Sequence, residues 1–228
     1  MENFEALEKK INLKFKNLDL YKNAFIHRSY LNEHKNVKEH NERIEFLGDA
    51  VLELAVTDFL YKKFPKFNEG KLTNFRSSLV KKETLAQTAR GLGLGDFLKL
   101  SKGENETGGR NKDYILANTF EAFLGAIYLD LGYKSAEKFV IENVVTKLDN
   151  IVEQQTFIDS KTKIQGYVQS VFKFTPKYET ITESGFDHDK HYVIGIYSAG
   201  CLMGVGEGKS KQMAQQMAAK KACDLLGV

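Results

Sequence analysis

The residue pattern predicts two joined folds. One is an all-α N-terminal domain over residues 1–155, and the other is a small α+β module of order α-β-β-β-α over residues 156–228. Three observations predict them. Apolar residues recur at three- and four-residue spacing through the first two thirds of the chain, the pattern of helices packed on a core. Between residues 177 and 208 that spacing gives way to three strand-like runs separated by glycine-bearing turns. Helical patterns flank these runs on both sides, so the module can bury a core of its own, and the boundary falls near residue 156.

Composition sets the broad limits. The 228 residues are 42% apolar and 28% charged, an ordinary globular balance that suits one large or two small domains. A net charge of +3 permits a polyanionic partner without arguing for one. Cys201 and Cys223 stand alone, without metal-ligand spacing, and read as reduced structural thiols. No apolar run approaches the roughly 20 residues that span a bilayer. The N-terminus lacks the basic-then-apolar order of a signal peptide. The expectation is a cytoplasmic protein with no membrane partner.

In chain order, residues 4–14 and 18–31 read as short helices, and His27-Arg28-Ser29-Tyr30 closes the second. A long helix runs from about 39 to 64 and stops at Pro65. After a turn around Phe67, residues 72–92 read as one amphipathic helix broken by Gly91, Gly93 and Gly95. Residues 101–112 are polar and glycine-rich, but no strand precedes them. They read as a surface loop rather than a phosphate cradle, and no small organic cofactor is expected. A strongly apolar helix spans about 113–131 and is capped by Gly132. Another covers about 134–152, and the stretch around Val152–Phe157 reads as a short connection. Residues 159–172 are again helical, followed by strands near 177–183, 191–198 and 201–208 and a last helix over 210–226.

The long helix carries the chemistry. At 100° per residue, Glu42, Glu45, Asp49 and Glu53 share one narrow face. Their i+4 neighbours are Phe46, Asp49 and Glu53, so no lysine or arginine one turn away compensates them. Like charges at that spacing cost roughly 0.2–0.5 kcal/mol per pair. Gly48 sits inside the stripe, where a helix-interior glycine costs roughly 1 kcal/mol against alanine and marks close approach of another group. Crowded carboxylates on a partly buried face call for a cation. The alternative is the solvated face of an amphipathic helix. On the apolar helix, Asn118 and Glu121 are polar interruptions three residues apart that must face a partner or a cavity. They could complete the acidic cluster or form an interhelical hydrogen bond. In the second module Lys209, Lys211, Lys220 and Lys221 cluster before and along the last helix, with Ser210 as its N-cap. Lysines at a helix N-terminus suit a phosphate backbone, or are a solvated face.

Asn41-Glu-Arg-Ile-Glu-Phe-Leu-Gly-Asp-Ala50 closely resembles the signature of bacterial ribonuclease III. His27-Arg28-Ser29-Tyr30, Glu69-Gly70 and Ala117-Asn-Thr-Phe-Glu-Ala122 are similar to that family's other blocks, in the same order. Residues 159–227 resemble its double-stranded-RNA-binding domain, most clearly at Gly206-Glu-Gly-Lys-Ser-Lys and Ala218-Ala-Lys. The resemblance implies a homodimeric endoribonuclease dependent on Mg²⁺, with Mn²⁺ as a substitute. It would cut double-stranded RNA to 5′-phosphate and 3′-hydroxyl ends, in ribosomal and other RNA processing. By match to the motifs, Glu45, Asp49 and Glu121 would hold the metal ions and the attacking water, Asp49 and Glu121 as catalytic residues. Asn118 would be a further metal ligand, in a position where the family usually has aspartate. Glu42 and Glu69 match accessory acids of the cleavage centre, and Phe46 the aromatic residue that inserts into the partner subunit. Gln165 and His188 would enter successive minor grooves, while Lys209, Ser210 and Lys211 meet the phosphates between. Gly166 and Phe186 stand where the RNA-binding family commonly has glutamate and proline.

Two other readings compete. One is a non-catalytic duplex-RNA-binding protein silenced at Asn118. A protein that only binds has no use for the repulsion among Glu42, Glu45, Asp49 and Glu121. The other is a metal-dependent hydrolase of small phosphates, against which the second module argues.

Overall fold

The structure is a computed structural model that describes residues 4–185 and 190–227, with the backbone alone over residues 149–159. It divides into two compact units, Met1–Asp149 and Asn150–Val228. The first is helical: α1 (Phe4–Ile11), α2 (Leu18–Ala24), α3 (Glu42–Lys63), α4 (Glu69–Val80), α5 (Lys82–Leu92), α6 (Lys102–Glu106), α7 (Asp113–Leu131) and α8 (Tyr133–Asn143). Then come α9 (Leu148–Phe172), strands β1 (Lys177–Ser184), β2 (His191–Ser198) and β3 (Cys201–Gly208), and α10 (Lys211–Leu226). The expected order of elements is present. No helix among the described residues is long and apolar enough to cross a membrane.

α7 is the axis of the first unit. Ile115, Leu116, Phe120, Phe123, Leu124 and Ile127 are all buried, and α2, α3, α5 and α8 pack round them. A helix apolar on nearly every side can only be a core helix. From α3, Ile44, Val51, Leu52, Ala55, Val56 and Leu60 complete that core. The shared surface is pinned at its far end by Asp130, which accepts from the backbone N–H of Lys16 (2.8 Å) and of Asn17 (3.0 Å) and from the Tyr21 hydroxyl (2.9 Å).

Four local readings are corrected. The helix read over 72–92 is two helices, because Lys81 takes an extended backbone (φ −63°, ψ 150°) between α4 and α5. The turn at Phe67 is shorter than expected, since Asn68 caps α4 by accepting the Lys71 N–H at 3.0 Å. The stretch read as a loop holds α6 and a 3₁₀ turn at Gly109–Asn111. Lys112 on Glu104 (2.7 Å) and Arg110 on the Gly95 carbonyl (2.9 Å) fasten it. Such long-range side-chain bonds leave no local periodicity to read. The helix read over 134–152 ends as α8 at Asn143, and α9, starting at Leu148, runs unbroken through the stretch read as a connection and the helix after it.

In the second unit the sheet order is β1-β2-β3, antiparallel throughout. Ile164 and Val168 of α9, Ile196 of β2, and Ala218, Ala219, Ala222 and Cys223 of α10 form its core. Gly204 and Gly206 face α10 on alternate residues of β3. Any Cβ on Gly206 would run into the backbone of Ala214, Met217 and Ala218, so the helix lies directly on the strand.

Candidate active site

The site begins with how α3 enters. Asn41 is buried; its N–H donates to the Ile26 carbonyl (2.9 Å) and its carbonyl accepts the Glu45 N–H (2.8 Å). Glu42 and Glu45 therefore fall in the first turn, where the open N–H groups favour negative charge. The preceding 3₁₀ turn, Arg28–Asn32, is held by Ser29. Its hydroxyl meets His27 Nδ1 at 2.9 Å and accepts the Ser101 N–H at 3.1 Å. That turn sets Arg28 at 3.7 Å from Glu42 Oε1, while His40 Nδ1 lies 3.9 Å from Glu42 Oε2.

α3 and α7 cross at two glycines. A Cβ on Gly48 would meet the Glu121 carbonyl and, at 2.9 Å, the backbone nitrogen of Gly125. A Cβ on Gly125 would in turn meet Ile44 and, at 3.2 Å, the backbone nitrogen of Gly48. Backbone contact of this kind places the residues flanking Gly48 directly against Glu121. Burial, then the charges of Asp49 and Glu45, push the Glu121 carboxyl up to about 8. Glu45 is also raised, first by burial and then by Glu42 and Asp49, while the Asn118 side chain acts as a hydrogen-bond donor that favours its anion. Asp49 and Glu45 of α3 are thus electrostatic neighbours of Glu121 on α7, and Asn118 of α7 neighbours Glu45.

The remaining acids separate. Glu53, on the same face of α3, turns to Arg76 of α4 at 3.0 Å, so the stripe ends at Asp49. Glu69 begins α4, where it accepts the Thr73 hydroxyl at 2.9 Å and lines a cavity with Tyr61, Phe67 and Arg76. It is not among the charges that raise Glu45 or Glu121. No lysine or arginine lies one turn away along the acidic face of α3, and Arg28 and Arg76 supply two cations from other elements. Neither shares a helical face with the acids, so only the fold reveals them.

Among the described residues, no three His, Cys, Asp or Glu side chains stand together as a ready-made metal cage. The donors nevertheless suit a hard cation: carboxylate oxygens and one amide, with a half-buried Glu121 whose neighbours are anionic. Mg²⁺ keeps several waters and takes only one or two carboxylates together with substrate phosphates, so it asks for an open group of this kind.

α3 also carries an exposed apolar stripe. Phe46, Leu54 and Tyr61 are 80%, 56% and 72% exposed and lie on one side of the helix. The family motif points to Phe46 alone, whereas Leu54 and Tyr61 repeat its spacing at intervals of two helical turns. Beside the stripe lies an open cavity of about 450 Å³ lined by Leu60, Tyr61, Phe67, Leu72 and Arg76.

In the second unit Gln165 is exposed on α9. Ser210 caps α10 by accepting the Met213 N–H at 3.2 Å, which leaves its hydroxyl proton available. Lys211 lies 3.5 Å from Glu183 and 5.5 Å from the centre of the Tyr192 ring. Lys220 and Lys221 do not join it, since nine residues of helix carry them about 14 Å along the axis. His188 and Phe186 lie outside the described residues.

Comparison with known proteins accounts for both units. Residues 17–148 match the family description Ribonuclease-III-like, and residues 160–226 match the double-stranded RNA binding motif. Ribonuclease 3 of Bdellovibrio bacteriovorus is 41% identical over 97% of this chain and 95% of that protein. Ribonuclease 3 of Streptococcus gordonii is 44% identical over 92% and 90%. The nuclease domain of Campylobacter jejuni ribonuclease III superposes with a TM-score of 0.59 at 39% identity, covering 62% of this chain and 96% of that one. With the glycine crossing and its facing acids in the first unit and the α-β-β-β-α module in the second, the chain belongs to the ribonuclease III family of endoribonucleases.

Proposed function

We propose that this protein cleaves double-stranded RNA as a homodimer, using Mg²⁺ or Mn²⁺ at Glu45, Asp49, Asn118 and Glu121. The observation that carries the reading is the half-buried Glu121 carboxyl, pressed by Asp49 and Glu45 across the Gly48–Gly125 crossing. A bound divalent ion supplies charge neutralisation at the phosphate and lowers the pKa of water. The chain's own residues do the rest. Asp49 and Glu121 orient the attacking water and take its proton. The Asn118 amide partly offsets the burial and the Glu42 charge that disfavour the Glu45 anion. Glu42 stands at the rim, where Arg28 limits its negative charge. Attack by water at phosphorus with loss of the 3′-oxygen leaves a 5′-phosphate and a 3′-hydroxyl. Ribosomal and other structured transcripts are the substrates this activity serves.

The exposed stripe of α3 supports the homodimer. Three large apolar side chains in line are a poor surface to leave in water. Phe46 of each protomer would enter the cavity beside Tyr61 of the other, and Glu69 at its edge would then stand near the partner's site. The Campylobacter jejuni nuclease domain has a region involved in dimer formation. For the second unit, duplex RNA is recognised by shape, through 2′-hydroxyls and phosphates. Gln165 on α9 and Lys209, Ser210 and Lys211 at α10 are two of the contacts such a module needs, and His188 is assigned the third.

The test is incubation with long duplex RNA, with and without Mg²⁺. Cleavage is expected with Mg²⁺, retained in part by Asn118→Ala and abolished by Glu121→Gln. Full binding without cutting at any Mg²⁺ or Mn²⁺ concentration would overturn this reading in favour of a binding-only protein.

A further inference from the structure

The charge arrangement at the start of α10 contains an acid that RNA binding alone does not explain. Glu183, near the end of β1, lies between two lysines: Lys190 Nζ is 3.3 Å from its Oε1 and Lys211 Nζ is 3.5 Å from its Oε2. Glu183 pairs in register with Tyr192 of β2, and Lys211 sits over the Tyr192 ring. A carboxylate and an aromatic face together form a seat for the ammonium group. Hydrogen bonds and charge from both lysines hold the Glu183 carboxyl below its ordinary value. All three charged side chains are between a third and two thirds exposed, so an incoming polyanion can reach them.

A phosphate approaching Lys211 meets two obstacles. The ammonium group already has an anionic partner, and that partner repels the phosphate. We propose that Glu183 is an internal stand-in for a backbone phosphate, holding Lys211 and Lys190 in the free protein and giving them up when duplex RNA binds. Glu183 thereby tunes affinity and limits attachment to unspecific polyanions. The inference rests on the reading of residues 209–211 as phosphate contacts.

The exchange is measured by fluorescence anisotropy of the full chain with a labelled duplex longer than the roughly 16 base pairs such a module spans. Divalent ions are left out so that no cleavage occurs. Salt series are run for the wild type, Glu183→Gln, Lys211→Ala and the double variant. Glu183→Gln is expected to bind about two- to fivefold more tightly at low salt, the scale of an exposed ion pair. The gain should fade at high salt and steepen the dependence of log K on log salt, because one more phosphate becomes neutralised. In the Lys211→Ala background the gain should shrink to the part that release of Lys190 carries, since Glu183 and Lys211 share one interaction. Unchanged or weaker binding by Glu183→Gln overturns the proposal and makes Glu183 an orienting residue for Lys211. An equal gain without Lys211 also overturns it, as an effect of net charge alone. If Lys211→Ala binds as tightly as the wild type, the phosphate-contact reading itself fails.

Discussion

The carbonyl oxygen of Glu121 lies far inside contact distance of the point where a Cβ on Gly48 would stand. This contact joins the two helices that carry the acids, so one atom at residue 48 decides both packing and chemistry. Gly48→Ala should improve helix propensity by about 1 kcal/mol. It must also push two helix backbones apart, and overpacking costs about 1–3 kcal/mol or more. We expect net destabilisation together with a large loss of cleavage. Gly91→Ala is the control, because nothing lies within 4 Å of its added Cβ and the variant should melt no lower than the wild type. Denaturant melts of the two variants check the contrast.

Glu121→Gln replaces a half-buried carboxyl whose ionisation is disfavoured by burial and by the charges of Asp49 and Glu45. The metal-free variant should melt a few degrees higher than the wild type. Saturating Mg²⁺ should raise the wild-type melting point, by about 2.7 kcal/mol of added stability at a hundredfold excess over Kd. The variant should show little of that response. A scan with and without Mg²⁺ separates the two effects from catalysis altogether.

Asn118→Asp adds a carboxylate beside Glu45. The Mg²⁺ concentration for half-maximal cleavage should fall, roughly five- to tenfold for one more charge at contact distance. The metal-free protein should lose stability from the added repulsion. A Mg²⁺ titration of initial rates and a metal-free melt test both halves.

Glu8 gives the fold a pH dependence. Its buried carboxylate accepts from Lys14 Nζ (2.8 Å) and from the Phe15 N–H (2.7 Å). The Lys14 hydrogen bond, more than any other influence, lowers its pKa. A carboxyl with a lowered folded value contributes stability that is full above its unfolded value near 4.5 and is lost as pH falls through the folded one. Glu8→Gln should therefore destabilise by about 1–2 kcal/mol at neutral pH. The difference from the wild type should shrink steadily below pH 4.5 in urea melts.

The α3 stripe predicts the oligomeric state. Phe46→Ala should weaken self-association, and Leu54→Glu should abolish it by placing a charge in the apolar contact. Light scattering reads the mass, and cleavage should fall with it. A wild type that remains monomeric at all concentrations would refute the dimer.

Much of this protein is legible without coordinates because its signals are periodic or local. The acidic face of α3, the apolar cylinder of α7, the three strands and the Ser210 cap each follow from spacing along the chain. Gly48 marked a close approach, because a helix-interior glycine is costly without one. The division of labour among the acids depended on tertiary contacts. Glu53 shares the face of Glu45 and Asp49, yet Arg76 from the next helix takes it away, while Glu121 arrives from far along the chain. Likewise Lys81 breaks a periodic helix, and Glu104 with Lys112 folds a glycine-rich stretch that has no pattern of its own. Spacing determines which side chains share a surface; only the packing of helix on helix decides which charges meet, because that distance is set by contacts between residues remote in sequence.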